Sequence, residues 1–185
     1  MIDIYNPFNL DINEWVQLFF CAIGIGMAKT GLGGIGLLIV PVMAGIFGAK
    51  SSTGIVLVLL IMADLFGVGY YHQHADLKKL IRLAPTSIVG IIVGIFVGDN
   101  ISEGNFKIIL SATVLFGVLL MLFHKSDDTI DKTNIFFTIF VGLLAGFSTM
   151  VGNAAGPIMT IYFISMGFKK NKFIGTAAWF FLFVN

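Results

Sequence analysis

Apolar residues fill this chain in long stretches with no polar face of their own, and polar residues gather in short clusters between them. A helix that is hydrophobic all round belongs in a protein core or in a bilayer. The pattern predicts eight helices, at about 12–28, 35–49, 53–71, 83–98, 108–124, 135–149, 154–168 and from 173 onward. The first, second, sixth and seventh are short. Fifteen residues rise about 22 Å, less than a hydrocarbon core of about 30 Å. The first and second, like the sixth and seventh, therefore read either as full spans or as re-entrant hairpins that enter and leave by one face.

Two interruptions organise the rest. KTGLGGIGLLIVP, residues 29–41, sets a lysine, a threonine and four glycines in an apolar run, and STMVGNAAGP, residues 148–157, has the same character. Backbone at membrane depth must be hydrogen-bonded internally, so broken helices persist only where protein buries them or a wet cavity meets them. Matched breaks in two halves are the sequence mark of a transporter's binding site.

A shift of 119 positions pairs Thr30 with Thr149, Gly33 with Gly152, Ile39 with Ile158, Gly48 with Gly167, Lys50 with Lys169 and Ile55 with Ile174. Both copies hold a broken helix, a short helix, a turn of glycine and lysine, and another helix. The sixth helix comes five helices after the first, and an odd offset inverts the second copy in the membrane. The expected fold is an all-α polytopic transmembrane bundle of two inverted repeats, at 1–125 and 126–185. The closing AAWFFLFVN stops within an apolar run and leads us to expect an incomplete second repeat, with about 60 residues needed to finish it.

Charge sets the orientation. With the N-terminus outside, nine of the 11 basic residues fall on or near the cytoplasmic side and two, Lys50 and Lys107, outside. The expected location is the cell membrane. The composition agrees: 57% hydrophobic and 11% charged residues, with a mean hydropathy of +0.97. A net charge of +1 gives no basic face for nucleic acid. Cys21, the single cysteine, can form no disulfide within the chain and reads as packing. No cofactor is called for, and the oligomeric state is not legible.

The glycine pattern of residues 24–41, the GNAAGP stretch and above all KKNKFIGTAAWFFLFVN resemble the sulfite exporter TauE/SafE family of membrane permeases. The resemblance covers essentially the whole chain and implies a polytopic permease moving sulfite or small organosulfur anions, commonly outward. The second break departs from the glycine-rich form of the first, with Asn153, Ala154 and Ala155 where Gly34, Ile35 and Gly36 stand.

Bare glycine amides and an exposed helix N-terminus suit a small oxyanion. The candidate substrate contacts are Thr30, Gly31, Gly33 and Gly34 in the first break, and Ser148, Thr149, Gly152 and Asn153 in the second. Close helix packing is the alternative use of these glycines. Lys29 is the candidate fixed charge facing the anion, with snorkelling to the interface as its alternative. Asp64, the one acid deep in an apolar run, could carry a coupling proton, pair with a lysine or cap a backbone break. His72 and His74, at i and i+2, do not share a helix face and read as interfacial loop rather than metal ligands. An anion channel or a non-transporting assembly or sensor subunit are the other readings. A membrane-embedded enzyme would need a cluster of His, Cys or carboxylates at one depth, and the sequence offers none.

Overall fold

The computed structural model describes residues 10–29, 35–123 and 135–185. They form eight α-helices: α1 (Ile12–Lys29), α2 (Ile35–Phe47), α3 (Ala49–Tyr71), α4 (Leu77–Asn100), α5 (Glu103–Phe123), α6 (Ile135–Gly152), α7 (Gly156–Ser165) and α8 (Lys170–Val184). Four of these segments, 49–74, 77–100, 103–122 and 135–152, are long and apolar enough to cross a membrane. At 13 and 10 residues, α2 and α7 rise about 20 and 15 Å and cannot cross alone.

Two helices begin earlier than their apolar stretches because side chains cap them. Asp76 accepts the Lys79 N–H at the start of α4, and the Ser102 hydroxyl accepts the Asn105 N–H at the start of α5. The polar first turns that follow, LKKLIR and EGNFK, are thereby helical, although hydropathy alone would leave them as loops.

The molecule is apolar outside and buries several polar side chains within a largely apolar core. Phe19, Phe66, Phe96, Leu122 and Phe136 are exposed, while Ser52, Asp64, Ser87, Ser148, Thr149 and Thr176 are buried. That inversion suits a lipid surround. Glycine makes the inner contacts possible. A methyl group on Gly90 would strike the Leu143 carbonyl, and one on Gly146 the Ser87 carbonyl, so α4 and α6 meet backbone to backbone. Gly175 of α8 likewise lies against the Tyr71 carbonyl, and Gly67 of α3 against Ala178.

The connections sort to two ends. At one, the Glu103 carboxylate accepts the Ala49 N–H at 2.7 Å, and the Lys50 ammonium donates to the Gly98 and Ile101 carbonyls at 2.7 Å each. The α2–α3 and α4–α5 turns are thus bound together. At the other, the Asp76 N–H donates to Thr176 Oγ1 at 3.0 Å and Lys172 pairs with the Asp76 carboxylate at 2.8 Å, which joins the α3–α4 turn to α8. Gly48 and Gly167, 119 residues apart, both have positive φ, 83° and 68°. One turn lies at each end, as two inverted copies of a helix–turn–helix require. At the second, the Phe168 and Gly167 amides donate to the Phe163 and Ile164 carbonyls, the left-handed glycine closure of a helix.

Candidate functional site

Lys29 closes α1, and its ammonium lies 2.7 Å from Asp64 Oδ1. The Asp64 side chain is fully buried and that of Lys29 is 16% exposed, so the lysine turns inward rather than snorkelling. Asn185 donates from Nδ2 to Asp64 Oδ2 at 3.1 Å, and the Lys29 ammonium stands 4.3 Å from the centroid of the Phe181 ring. Each partner therefore has two supports: Asp64 has a cation and an amide, Lys29 a carboxylate and an aromatic face. Removing one member of such a pair strands a buried charge, at a cost of about 3–5 kcal/mol.

The second break is narrower than the sequence suggests. Helix α6 continues to Gly152, so Ser148, Thr149 and Gly152 belong to its last turns, and only Asn153, Ala154 and Ala155 are non-helical. Asn153 reverses the chain with φ of 52°. Asparagine tolerates this left-handed conformation better than most residues, which is why it can stand where the first repeat has a glycine. Its amide donates to the Thr53 carbonyl at 2.9 Å, tying the break to α3. The Ala154 N–H closes back on the Ser148 carbonyl at 3.1 Å.

A cavity of about 100 Å³ lies between the second break and the facing ends of α1 and α2. Its walls include Ala28, Lys29, Gly36 and Leu37 from the first hairpin, and Asn153, Ala154, Gly156 and Pro157 from the second. Phe181 of α8 and Asn185, which follows that helix, also line it, together with apolar side chains that include Leu60, Met159 and Phe163. One water occupies about 30 Å³ of liquid, so the space suits a solute of a few heavy atoms. The α7 N-terminus opens here with no side-chain cap, leaving its partial positive charge toward the cavity.

Of the sequence candidates, Lys29 and Asn153 line the cavity, and Asp64 reaches it through Lys29. Ser148 and Thr149 are buried nearby in α6 and are not among the lining residues. Gly152 packs instead against Leu110 and Val40. Thr30, Gly31, Gly33 and Gly34 lie outside the described residues. His72 and His74 stand in an exposed single turn, with His72 Nδ1 near the Val68 and Gly69 carbonyls. Sequence reasoning did not single out Phe181 or Asn185. The amide at the close of an otherwise apolar AAWFFLFVN was the available signal.

The sequence profile described as "Sulfite exporter TauE/SafE" matches residues 18–185. The chain belongs to the sulfite exporter TauE/SafE family. The family is one of membrane transporters, not enzymes, and the long apolar helices agree with a multi-pass membrane protein. No curated protein and no solved structure gives a match.

Proposed function

We propose that the protein is a secondary permease for a small sulfur oxyanion, sulfite or an organosulfonate, exported across the cell membrane by alternating access between two inverted halves. The observation that carries this reading is the cavity between the second break and the ends of α1 and α2, with an inward-turned lysine in its wall. Lys29, Asn153 and the uncapped start of α7 all stand in the wall of a space of oxyanion size. Such a cavity supports transport over a packed assembly or sensor subunit.

In this reading Lys29 supplies the fixed charge and Asn153 a neutral donor. Thr30, Gly31, Gly33 and Gly34 are the further contacts proposed from the first break, while Ser148, Thr149 and Gly152, which do not line the cavity here, would reach the anion only in another state of the cycle. Residues 1–125 and 126–185 are the two rocking units, and the N-terminus faces outward, with the Asp76–Lys172 end in the cytoplasm.

Uptake of labelled sulfite into proteoliposomes tests this. The wild-type protein is expected to exceed empty vesicles, and Gly33→Leu and Asn153→Leu are each expected to lose that uptake while still inserting. Undiminished uptake by both inserted variants would remove the assigned site.

A further inference from the structure

The proposed site has a feature its function does not yet explain: the one lysine in the cavity wall is already neutralised. With Lys29 at 2.7 Å from Asp64, the empty site holds one positive and one negative charge. An arriving anion would leave the buried cluster with a net charge of −1. Low-dielectric surroundings make that state far costlier than either neutral arrangement.

We propose that Asp64 and the substrate anion compete for Lys29, and that Asp64 takes up one proton as the anion binds, so that the carrier moves one monovalent oxyanion together with one proton. This rests on the permease reading and specifies its substrate charge and its coupling. The O–H bond forms on Asp64 Oδ1, the oxygen facing Lys29; the proton comes from water on the side to which the cavity opens, and the ammonium turns to the anion. The cluster is neutral before and after.

The neighbours fit such an exchange. Asn185 bonds the other carboxylate oxygen, so the acid stays held once the lysine has left. Phe181 offers the ammonium a face at 4.3 Å, a contact that requires no counter-charge. No other charged side chain is found beside Asp64 among the described residues. Packed against α3, α2 and α6 carry no titratable side chain. On α5, Glu103 caps Ala49 at the far end, one turn from Lys107. On α8, Lys170 and Lys172 stand at its start, with Lys172 held by Asp76. On α1, Glu14 bonds the Asp11 amide at the opposite end from Lys29, and Cys21 is buried between.

Methanesulfonate is the probe, because its single charge does not change between pH 5 and pH 9. In weakly buffered detergent solution the wild-type protein is expected to take up about one proton per anion bound. Its Kd for methanesulfonate is then expected to rise about tenfold per pH unit on the alkaline side. Asp64→Asn, a fixed neutral form, is expected to bind with no proton uptake and a pH-independent Kd, whereas Asp64→Glu keeps the linkage. The wild-type measurements need no variant, so misfolding of Asp64→Asn does not shield the idea. Absent methanesulfonate binding, or binding with a flat pH profile and no proton uptake, overturns it. If sulfite still crosses the membrane under either result, the permease reading stands and the proton exchange alone falls. If no anion crosses, both fall.

Discussion

A single methyl group on Gly146 measures how closely α4 and α6 are fitted together. In the α4–α6 crossing, a Cβ at this position meets the Ser87 carbonyl carbon at 2.8 Å and the Ile91 amide nitrogen at 3.0 Å, all backbone of α4. Ordinary contact lies at about 3.5–4.0 Å, so the helices must part by about 1 Å, and backbone cannot swing aside as a side chain can. Overpacking costs about 1–3 kcal/mol, and a contact against rigid backbone belongs to the upper part of that range, about 2–3 kcal/mol. Exchanging glycine for alanine within a helix returns up to about 1 kcal/mol. The net loss for Gly146→Ala is thus about 1–2 kcal/mol, or about 2–8 °C in Tm at this chain length. Gly54→Ala is the control, since its Cβ finds nothing within 4 Å and should leave Tm unchanged or raised. The sequence supplies the assay. Cys21 is its single cysteine and is buried, so a thiol-reactive fluorophore reports its exposure on heating in detergent. A Gly146→Ala protein that melts at or above the wild-type temperature would refute the backbone-contact argument.

Three further substitutions separate structural from transport roles. Thr149→Val removes a buried hydroxyl that has no hydrogen-bond partner among the described residues; Tm should hold or rise, while sulfite uptake should fall if the hydroxyl meets the anion during the cycle. Asn153→Ala should cost about 1–2 kcal/mol through its left-handed backbone, and Asn153→Gly less in detergent melts, because glycine relieves φ and only the bond to Thr53 is lost. The Lys172 ammonium holds the Asp76 carboxyl below the usual carboxylate range, so its stabilisation is present above the unfolded-state value and disappears as pH falls through the lower folded-state value. Asp76→Asn should forgo up to about 1 kcal/mol at neutral pH and flatten that acid limb, keeping the helix cap, whereas Asp76→Ala should lose about 1 kcal/mol more.

Helix number and order were legible because each apolar run is longer than a turn can bridge and each break is rich in glycine or asparagine. Boundaries slipped where a cap extended a helix into polar sequence, as Asp76 and Ser102 do. At the second break the signal was read too broadly: Ser148, Thr149 and Gly152 look like loop residues in sequence, yet they close α6 as buried positions, Gly152 against Leu110 and Val40. Lys29 and Asp64 were each visible as costly intramembrane charges. Their pairing was one of several options and could not be fixed, because 35 positions separate them and no local periodicity relates them. Phe181 was beyond reach, being one aromatic among 19 phenylalanines.

The joints between the helices bear on how two halves could move. The α4–α6 crossing is backbone against backbone and leaves no room for sliding, so it suits a pivot. The α3–α8 contact closes at the Tyr71–Gly175 end through Thr176, Asp76 and Lys172, polar contacts that water can replace one at a time. The Lys29–Asp64 pair adds a third joint on α3, with Asn185 of α8 on its other side. A change in that pair's charge state therefore acts on the α3–α8 contact directly, while α4 and α6 hold their register. In the proposed alternating-access cycle, the ion pair would be both the site of the anion and the joint whose release lets one helix pair part.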